Sequence, residues 1–495
     1  MKNGFDGELY LKKQSEMIGK RISDFGGKLY LEFGGKLFDD FHASRVLPGF
    51  APDIKLKMLL TLADRVEVVI AVSATDIENK KMRGDIGITY DAEVLRLIDA
   101  FRSVGLFVGS VVINKFSGQR LAMTFKQRLE ELGMKVYLHY PIDGYPSSVK
   151  HVVSPEGLGK NDYIETSRPL VVVTAPGPGS GKMATCLSQL YHENVRGIKA
   201  GYAKYETFPI WNLPLSHPVN LAYEAATADL NDVNMIDPYH LESYGKLTVN
   251  YNRDVESFPV LRAIFEKIYG ECPYKSPTDM GVNMAGFCIS DEDVVINACK
   301  NEIIRRYYKA LCDVTKGTVK SSAVNKIELV MNQAGVSVDD RAVVKAALEK
   351  KNATDGKPAA ALQLPDGRIV TGKTSSLLGP SAALLLNALK ALSGISHDTD
   401  VINHSVIEPI SELKTKNLGN HNPRLHSDEV LIALSVSAVF DTNSRKAIEY
   451  LPMLRGCEAH STVILPSSDE EIFKKLGINM TCEPEFSTKK LYHKQ

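Results

Sequence analysis

Runs of apolar residues alternate with segments of helical spacing over the first 230 residues of the chain. The apolar runs lie at 66–72, 106–114, 134–139 and 170–174, and the helical segments lie at 91–104 and 122–132. Strands that are apolar along their whole length and separated by helices are typical of a parallel sheet covered on both faces. We therefore predict an α/β domain with a doubly wound, mainly parallel sheet.

A near-duplication opens the chain, with Phe-Gly-Gly-Lys-Leu at 25–29 and again at 33–37. Between the two copies, apolar Leu29, Leu31 and Phe33 alternate with Tyr30 and Glu32. A period of two is typical of a half-buried strand, and the glycine pair that follows is typical of a turn. This segment is therefore predicted to form a local hairpin.

The pattern changes near residue 235. Two segments of helical spacing, at 255–269 and 292–312, flank a turn-rich stretch and predict a small helical domain. The chain is thus predicted to have three domains: an α/β phosphate- or nucleotide-binding domain at 1–234, the helical domain at 235–318, and a C-terminal α/β domain at 319–495.

The C-terminal domain is predicted from a hairpin and from the helices and strands that follow it. A Pro-Asp-Gly turn at 365–367 between two short strands predicts a hairpin. Pro380 suits the first turn of a helix. The remaining predicted elements are a helix at 380–392, a strand at 401–407, helices at 427–440 and 444–454, and a strand at 462–465.

The amino-acid composition argues against several classes of binding partner. The 495 residues include 59 Lys+Arg and 59 Asp+Glu, a balance that gives no general attraction to nucleic acid or to an anionic membrane. No apolar run reaches the roughly 20 residues that a membrane-spanning helix needs, and the first residues lack the apolar core of a secretory signal. The seven cysteines include no CxxC pair, which fits a reducing compartment. We expect a cytoplasmic protein whose partner is a small anionic ligand, and homo-oligomers stay open.

One segment stands out chemically: a buried strand, a glycine-rich loop and a helix, in the sequence LVVVTAPGPGSGKMATCLSQL at 170–190. Glycines let backbone N–H groups converge on an anion, and the helix that follows offers its positive end. Lys182 is expected to add its charge to the terminal phosphate oxygens. The residues predicted to bind phosphate here are Gly177, Gly179, Ser180, Gly181, Lys182 and Met183.

The match to the P-loop pattern GxxxxGK[ST] fails at two positions. Pro176 replaces the first glycine, and Met183 replaces the Ser or Thr whose hydroxyl usually binds Mg²⁺. A thioether is a poor ligand for this hard cation. The expected cofactor is ATP or another nucleotide. The requirement for Mg²⁺ is left open, because Met183 stands at the position of the usual ligand. A plain strand-to-helix turn is the structural alternative.

A second segment, GRIVTGKT at 367–374, satisfies the P-loop pattern formally. Residues 368–371 have strand character, however, and no buried strand precedes them, so a phosphate cradle is not expected there. The small polar residues that follow suggest instead that this loop binds an anionic substrate group or completes the first site. The residues of this hypothesis are Thr371, Gly372, Lys373 and Thr374.

Other candidate residues carry weaker signals. Glu32 and Asp76 come nearest to the acidic residue that ends a strand beside a P-loop, but neither follows the usual apolar run. His421 and His426 flank a polar loop before a helix, and an ordinary polar loop explains them better than metal binding. Ser427 or Asp428 is expected to cap that helix. No HExxH metal motif and no GxSxG nucleophile motif is present.

Three stretches together resemble one family: GGKLYLEFGGKLFDDFHASRVLPGF, TAPGPGSGKMATCLSQLYHE and IVTGKTSSLLGPSAALLLNALK. The chain is similar over essentially its full length to an uncharacterised family of bacterial proteins, defined as a domain of unknown function. Some members are described as ATP-dependent peptidases. The resemblance implies an α/β N-terminal part, a helical insert and an α/β C-terminal part, and it assigns no catalytic residue.

Three functions therefore stay open. The first is binding of a nucleotide or phosphorylated small molecule at the glycine loop, with phosphoryl transfer or ligation by an NTP-dependent transferase or ligase. The second is a non-catalytic protein that binds an anionic metabolite, which the missing Mg²⁺ ligands favour. The third, an ATP-dependent peptidase, has the least support from the residues.

Overall fold

The computed structural model describes residues 2–38, 40–83, 87–230 and 232–488. The chain divides into two compact units. The first comprises Lys2–Glu224 and Asp232–Cys299, and the second comprises Ala225–Asn231 and Lys300–Gln495. The three-domain division at 234/235 and 318/319 stays a prediction.

A seven-stranded parallel sheet forms the centre of the first unit. Its strands are β1 (Leu29–Phe33), β2 (Val66–Ser73), β3 (Phe107–Asn114), β4 (Lys135–Leu138), β5 (Leu170–Thr174), β6 (Gly201–Tyr205) and β7 (Gly281–Val282). Their order across the sheet is β7-β6-β1-β5-β2-β3-β4, and every neighbouring pair is parallel. The apolar runs of the sequence thus predicted strands β2 to β5 within a residue or two.

Two separate cores cover the two faces of this sheet. On the first face, residues such as Leu31 and Val172 pack against the helices Gly7–Asp24, Ile54–Leu60, Tyr90–Ser103 and Arg120–Glu131. On the second face, residues such as Tyr30 and Val171 pack against Lys182–Val195 and Asn252–Tyr269. Burial on both faces explains why most strand residues are apolar.

The hairpin predicted at residues 25–37 is wrong. Strand β1 lies inside the sheet between β5 and β6, and all five of its residues are buried. Its polar residues do not face solvent, because each has a buried partner on the second face. Tyr30 donates a hydrogen bond to Glu193, and Glu32 accepts one from Tyr202. The alternation therefore reflects two buried faces of different chemistry.

Shorter elements complete the first unit. Two antiparallel strand pairs join Met82–Arg83 to Ile88–Thr89 and Asn234–Ile236 to Val249–Tyr251. The remaining helices here are Phe41–Val46, Ala74–Glu78, Val149–Val152, Pro218–Ala226, Pro238–Tyr244 and Pro277–Met280, and the helix Glu292–Thr315 continues into the second unit.

The second unit contains a four-stranded sheet with helices. The strands are β8 (Ala359–Gln363), β9 (Ile369–Lys373), β10 (Glu458–Ser461) and β11 (Asn479–Cys482), in the order β9-β8-β10-β11. The antiparallel pairing of β8 with β9 confirms the predicted hairpin. The helices are Ser322–Ala334, Ala342–Asn352, Pro380–Ser393, His404–Glu412, Ser427–Ser437, Thr442–Glu449 and Ser467–Lys475.

The strand predicted at 401–407 is wrong, and the strand predicted at 462–465 is displaced. A helix begins at His404, because the side chain of Asn403 caps it by accepting a hydrogen bond from the N–H of Ser405. The displaced strand lies at Glu458–Ser461, where Ala459 is buried and the polar residues beside it are also buried or half-buried. Within the described ranges, no helix is both long and apolar enough to cross a membrane.

Candidate functional site

The glycine loop (residues 177–183) lies where the connections of the sheet change sides. Strand β5 leads through this loop to the Lys182–Val195 helix on the second face. Its neighbours β1 and β2 lead to the Ile54–Leu60 and Tyr90–Ser103 helices on the first face. In open parallel sheets, ligands bind outside the carboxyl ends of strands at such a switch point.

Glycines are required at specific positions of the loop. Gly179 and Gly181 have φ angles of 78° and 91°, in the left-handed region that favours glycine. At Gly177 the constraint is space, since a Cβ atom there would lie 2.2 Å from the Tyr90 hydroxyl oxygen. The three glycines thus allow a tight loop that a side chain at these positions would distort.

A buried asparagine fixes the shape of the loop from β3. The amide nitrogen of Asn114 donates to the carbonyl oxygen of Ser180 at 2.9 Å and to the Thr185 hydroxyl oxygen at 3.0 Å. Within the loop, the Ser180 hydroxyl donates to the carbonyl oxygen of Gly177 at 2.9 Å. These contacts hold the loop through its carbonyl groups and leave its donors uncommitted.

Those donors are the backbone N–H groups at the start of the helix. Among the described residues, no hydrogen-bond acceptor lies on the N–H groups of Gly179, Gly181, Lys182 and Met183. The Lys182–Val195 helix has no side-chain cap at its N-terminus. The positive end of its dipole, equivalent to about half a unit charge, is therefore not neutralised by the protein at this end.

Three lysines surround the loop. Lys182 is half-buried and has no ionic partner within the described parts of the chain. The ammonium of Lys115 lies 3.3 Å from the carbonyl oxygen of Gly179. The ammonium of Lys81 lies 5.0 Å from the centre of the Tyr90 ring, whose hydroxyl abuts Gly177. The loop is thus a surface of hydrogen-bond donors and positive charge.

Thr185 does not supply the hydroxyl group that is missing at position 183. The Thr185 hydroxyl is buried and bonds to Asn114 and to the carbonyl oxygen of Gly181. Met183 packs against the core of the second face. Over the described ranges, no three His, Cys, Asp or Glu side chains are grouped so as to hold a metal ion. The requirement for Mg²⁺ therefore stays open.

A charged cluster lies at the carboxyl ends of β1 and β6, beside the loop. The Lys204 ammonium is 2.5 Å from a carboxylate oxygen of Asp254 and 3.0 Å from one of Glu206. Glu32 accepts a hydrogen bond of 2.6 Å from the Tyr202 hydroxyl on the same face. We call Glu32, Lys204, Glu206 and Asp254 the charged cluster.

Glu206 is the member of the charged cluster that reaches solvent. Its side chain is 26% exposed, whereas those of Lys204 and Asp254 are 10% and 9% exposed. Burial raises the pKa of Glu206 to about 7, and Asp254 and Glu32 add to the rise while Lys204 opposes it. A Cβ at Gly34 would lie 2.9 Å from the carbonyl oxygen of Tyr205 and 3.0 Å from the Cγ atom of Glu206, so glycine is favoured there. Glu206 is therefore a partly exposed carboxyl group whose pKa lies near neutral pH.

The charged cluster and the glycine loop border the same helix. The buried thiol of Cys186 lies in the second turn of the Lys182–Val195 helix. Burial raises the pKa of this thiol, the charge of Glu32 raises it further, and the charge of Lys182 lowers it. The charges of Glu32 and Lys182 thus both act on the Cys186 thiol, so the two side chains lie at the same end of the sheet.

Sequence reasoning found only part of this site. It identified the glycine loop and considered Glu32, but it missed Lys204, Glu206 and Asp254. A signal was present for two of them, because charged residues at the end of an apolar strand mark the ligand-binding edge of a parallel sheet. Asp254 lies about 50 residues further along, and only the fold reveals that it contacts Lys204.

The second predicted loop belongs to the second unit. Thr371, Gly372 and Lys373 are part of β9 and pair with residues of β8. Gly372 is required by packing, since a Cβ there would lie 2.2 Å from the backbone nitrogen of Leu384. The hydroxyl of Thr374 donates to the carbonyl oxygen of Pro358 at 3.0 Å. The anion-binding role of these four residues stays a prediction.

The histidine loop before residue 427 lies beside the segment that follows β9. The N–H of Leu425 donates to the carbonyl oxygen of Leu377 at 2.8 Å. His426 lies 3.3 Å from Asp469, and this hydrogen bond raises the pKa of the imidazole. Asp469 also accepts from the N–H of Ser427, so the pair caps a helix.

Comparison with known proteins assigns the chain to a family. The model described as "Domain of unknown function DUF1846, N-terminal" matches residues 3–335, and its C-terminal counterpart matches residues 339–492. A UPF0371 protein of Streptococcus thermophilus (strain ATCC BAA-491 / LMD-9) is 58% identical over 493 residues, and one of Streptococcus sanguinis (strain SK36) is 57% identical over 493 residues. Both alignments cover 100% of each chain. The chain therefore belongs to this family of uncharacterised bacterial proteins, which confirms the resemblance found in its sequence.

Proposed function

We propose that the protein binds a nucleotide, such as ATP, or a phosphorylated small molecule, with a phosphate group against the glycine loop. The observation that carries this proposal is the combination of uncommitted N–H donors and Lys182 at the switch point of a parallel sheet. If the loop served only as a strand-to-helix turn, a carboxylate could cap the helix that follows it. The lack of a side-chain cap on the Lys182–Val195 helix therefore favours an anionic ligand at this end.

Charge supports an anion rather than a neutral ligand. The ammonium groups of Lys81, Lys115 and Lys182 lie around the loop, and of these Lys81 is the one paired with a carboxylate, that of Asp76 at 3.4 Å. Lys115 and Lys182 thus bring two positive charges to the loop itself, whereas the three carboxylates of the charged cluster lie at the ends of β1 and β6 and on a helix. The residues proposed to bind phosphate are Gly177, Gly179, Ser180, Gly181, Lys182 and Met183.

The charged cluster favours a reaction over binding alone. A group that donates or accepts a proton works best when its pKa is close to the working pH. Glu206 meets this condition and is partly exposed just after the carboxyl end of β6. The reaction class that we propose is phosphoryl transfer or ligation on a small molecule, with Glu206 moving a proton to or from the acceptor.

Two alternative functions remain. One observation favours a non-catalytic anion-binding protein. The Thr185 hydroxyl is hydrogen-bonded to Asn114, so it is not available as a ligand for Mg²⁺. An ATP-dependent peptidase ranks last, because the His426–Asp469 pair is occupied in capping a helix. A cytoplasmic location also remains our proposal, supported by the lack of a disulfide bond among the seven cysteines, all of which lie in the described ranges.

Calorimetric titration tests the proposal. ATP, GTP and inorganic phosphate are titrated, with and without Mg²⁺, into the wild type and the Lys182→Ala variant. Lys246→Ala is the charge-matched control, because Lys246 is an exposed lysine outside the site. We expect at least one of these ligands to bind the wild type and to bind Lys182→Ala about tenfold or more weakly, a loss of about 1.4 kcal/mol.

The outcomes separate the alternatives. Equal affinity in wild type and Lys182→Ala, or no binding to either, would overturn the phosphate site. Binding that does not change with Mg²⁺ and leads to no turnover of ATP would favour the non-catalytic protein. Loss of affinity in Lys246→Ala as well would show that the effect is one of overall charge.

A further inference from the structure

The segment at residues 114–119 leaves β3 at its carboxyl end and contacts the glycine loop. Asn114, the last residue of β3, is buried and donates a hydrogen bond of 2.9 Å to the carbonyl oxygen of Ser180. The next residue, Lys115, places its ammonium 3.3 Å from the carbonyl oxygen of Gly179. Two consecutive residues of the segment thus contact two consecutive residues of the loop. We call residues 114–119 the Asn114 segment.

Lys115 has a backbone conformation that residues other than glycine rarely adopt. Its φ angle is 57°, in the left-handed region, where a side chain is strained. A glycine would make the same turn without strain, so the turn alone does not account for a lysine at this position. The side chain is exposed, and the ammonium is held at the loop by its hydrogen bond to Gly179. Its four-carbon stem therefore offers apolar surface beside the loop.

Ser117 and Gln119 form a polar edge next to Lys115. The amide nitrogen of Gln119 lies 3.3 Å from the carbonyl oxygen of Lys115 and donates to the Ser117 hydroxyl oxygen at 3.0 Å. The amide oxygen of Gln119 accepts from the N–H of Ser117 at 2.8 Å. These bonds hold Ser117 in place, and in the described ranges no acceptor lies on its hydroxyl hydrogen. The edge thus offers a hydroxyl donor, and the Asn114 segment contains no carboxylate.

We propose that the base of a bound nucleotide lies against the Asn114 segment, stacked on the stem of Lys115 with its polar edge at Ser117, and that this segment makes the site prefer adenine to guanine. The inference rests on the proposed function, because it requires the phosphate groups to lie on the glycine loop. It adds the class of nucleotide and the residues that recognise the base.

The opposite side of the glycine loop is less suited to the base. Strand β5 has β1 and β6 on one side and β2 and β3 on the other. The β1 and β6 side carries the charged cluster, in which three carboxylates outnumber the single ammonium of Lys204. This is also the side on which Glu206 is proposed to move a proton to or from the acceptor. A nucleoside on the β3 side leaves that space to the acceptor, and Lys115 adds positive charge near the phosphates.

The hydrogen-bonding edges of the two purines explain the preference for adenine. Guanine presents two adjacent donors, N1–H and the N2 amino group, which a single carboxylate accepts together. The sequence at 114–117 resembles Asn-Lys-x-Asp, with which GTP-binding proteins read guanine, but Ser117 stands in place of the aspartate. Adenine presents an acceptor at N1, which matches the hydroxyl donor of Ser117. A site without the carboxylate leaves the guanine donors unpaired and therefore favours adenine.

The ratio of the affinities for ATP and GTP tests the role of Ser117. Calorimetric titration of the full-length protein gives both affinities, and their ratio cancels effects that act on the phosphate groups alone. We expect the wild type to bind ATP more tightly than GTP and Ser117→Asp to shift the ratio towards GTP by about tenfold or more, the value of one bidentate contact to a base. Ser23→Asp is the charge-matched control and should leave the ratio unchanged, because Ser23 is exposed and precedes β1, at the amino ends of the strands.

A comparison of ATP with inorganic triphosphate tests the role of Lys115. The difference between their affinities measures the contribution of the nucleoside. The wild type should bind ATP about tenfold or more tightly than triphosphate, since stacking of a base contributes on this order. Lys115→Ala should reduce this difference to about twofold or less, because it removes the stacking surface, whereas the lost charge weakens both ligands alike.

The outcomes separate the base site from the phosphate site. Equal binding of ATP and triphosphate by the wild type, or an ATP-to-GTP ratio that is the same in wild type and Ser117→Asp, would overturn the base site. The phosphate site would still stand if Lys182→Ala weakened the binding of triphosphate. A wild type that binds GTP more tightly than ATP would overturn the preference for adenine. Binding of none of these ligands would overturn both proposals.

Discussion

Replacing Glu206 by glutamine should change how the stability of the protein depends on pH. In the fold, burial among Glu32 and Asp254 raises the pKa of Glu206 from its ordinary value of 4.5 to about 7. The folded protein therefore holds this proton more tightly than the unfolded chain does. The stabilisation is fully present below pH 4.5 and is lost as the pH rises through 7. A glutamine side chain has no such proton to lose, so the Glu206→Gln variant should not show this loss.

The magnitude follows from the pKa values of the folded and unfolded states. A difference of one pH unit between them corresponds to about 1.4 kcal/mol, so a rise from 4.5 to about 7 corresponds to at most about 3–4 kcal/mol. The side chain is 26% exposed and Lys204 stabilises the ionised form, so we expect about 2–3 kcal/mol. This amount is a large fraction of the stability of a typical protein and is readily measured.

Urea unfolding between pH 5 and pH 8 provides the assay. The free energy of unfolding of Glu206→Gln minus that of the wild type should become more positive by about 2–3 kcal/mol across this range. Glu256→Gln, a substitution of an exposed glutamate in the same unit, is the control and should show no such trend. A difference between Glu206→Gln and wild type that is constant with pH would refute the reasoning.

Two further substitutions test the packing that surrounds the candidate sites. Asp40→Asn should destabilise the protein by about 3–5 kcal/mol, because it removes the negative charge that lies 2.6 Å from the buried ammonium of Lys55. A change below about 1 kcal/mol in the free energy of unfolding by urea would contradict this. Gly372→Ala should cost several kcal/mol, since its Cβ would meet the Leu384 backbone nitrogen at 2.2 Å. Gly19→Ala should instead raise stability slightly, because the new side chain would enter open space on a helix. Equal changes in the free energy of unfolding for Gly372→Ala and Gly19→Ala would refute the steric argument.

Local pattern was enough to predict the central strands and the glycine loop. Strands β2, β3 and β5 are mostly apolar because helices cover both faces, and that property is visible in a single sequence. The loop is recognisable because a strand, glycines, a lysine and a helix follow one another in the sequence, an order that is typical of phosphate-binding loops. Both signals depend only on residues that are close in sequence.

Features that depend on distant residues could not be predicted in this way. The hairpin prediction at 25–37 failed because the partners of Tyr30 and Glu32, namely Glu193 and Tyr202, lie more than 160 residues away. The charged cluster was missed for the same reason, since Asp254 meets Lys204 through folding alone. At 401–407, the capping role of Asn403 outweighed an apolar pattern that is typical of a strand.

The position of a bound nucleotide tests the central claim most directly. A crystal structure of the protein grown with ATP at millimolar concentration should show a phosphate group within hydrogen-bond distance of the N–H groups of Gly179, Gly181 and Met183. The Lys182 ammonium should contact the same phosphate. ATP bound elsewhere on the chain, or a glycine loop that carries no phosphate while ATP is present, would contradict the account.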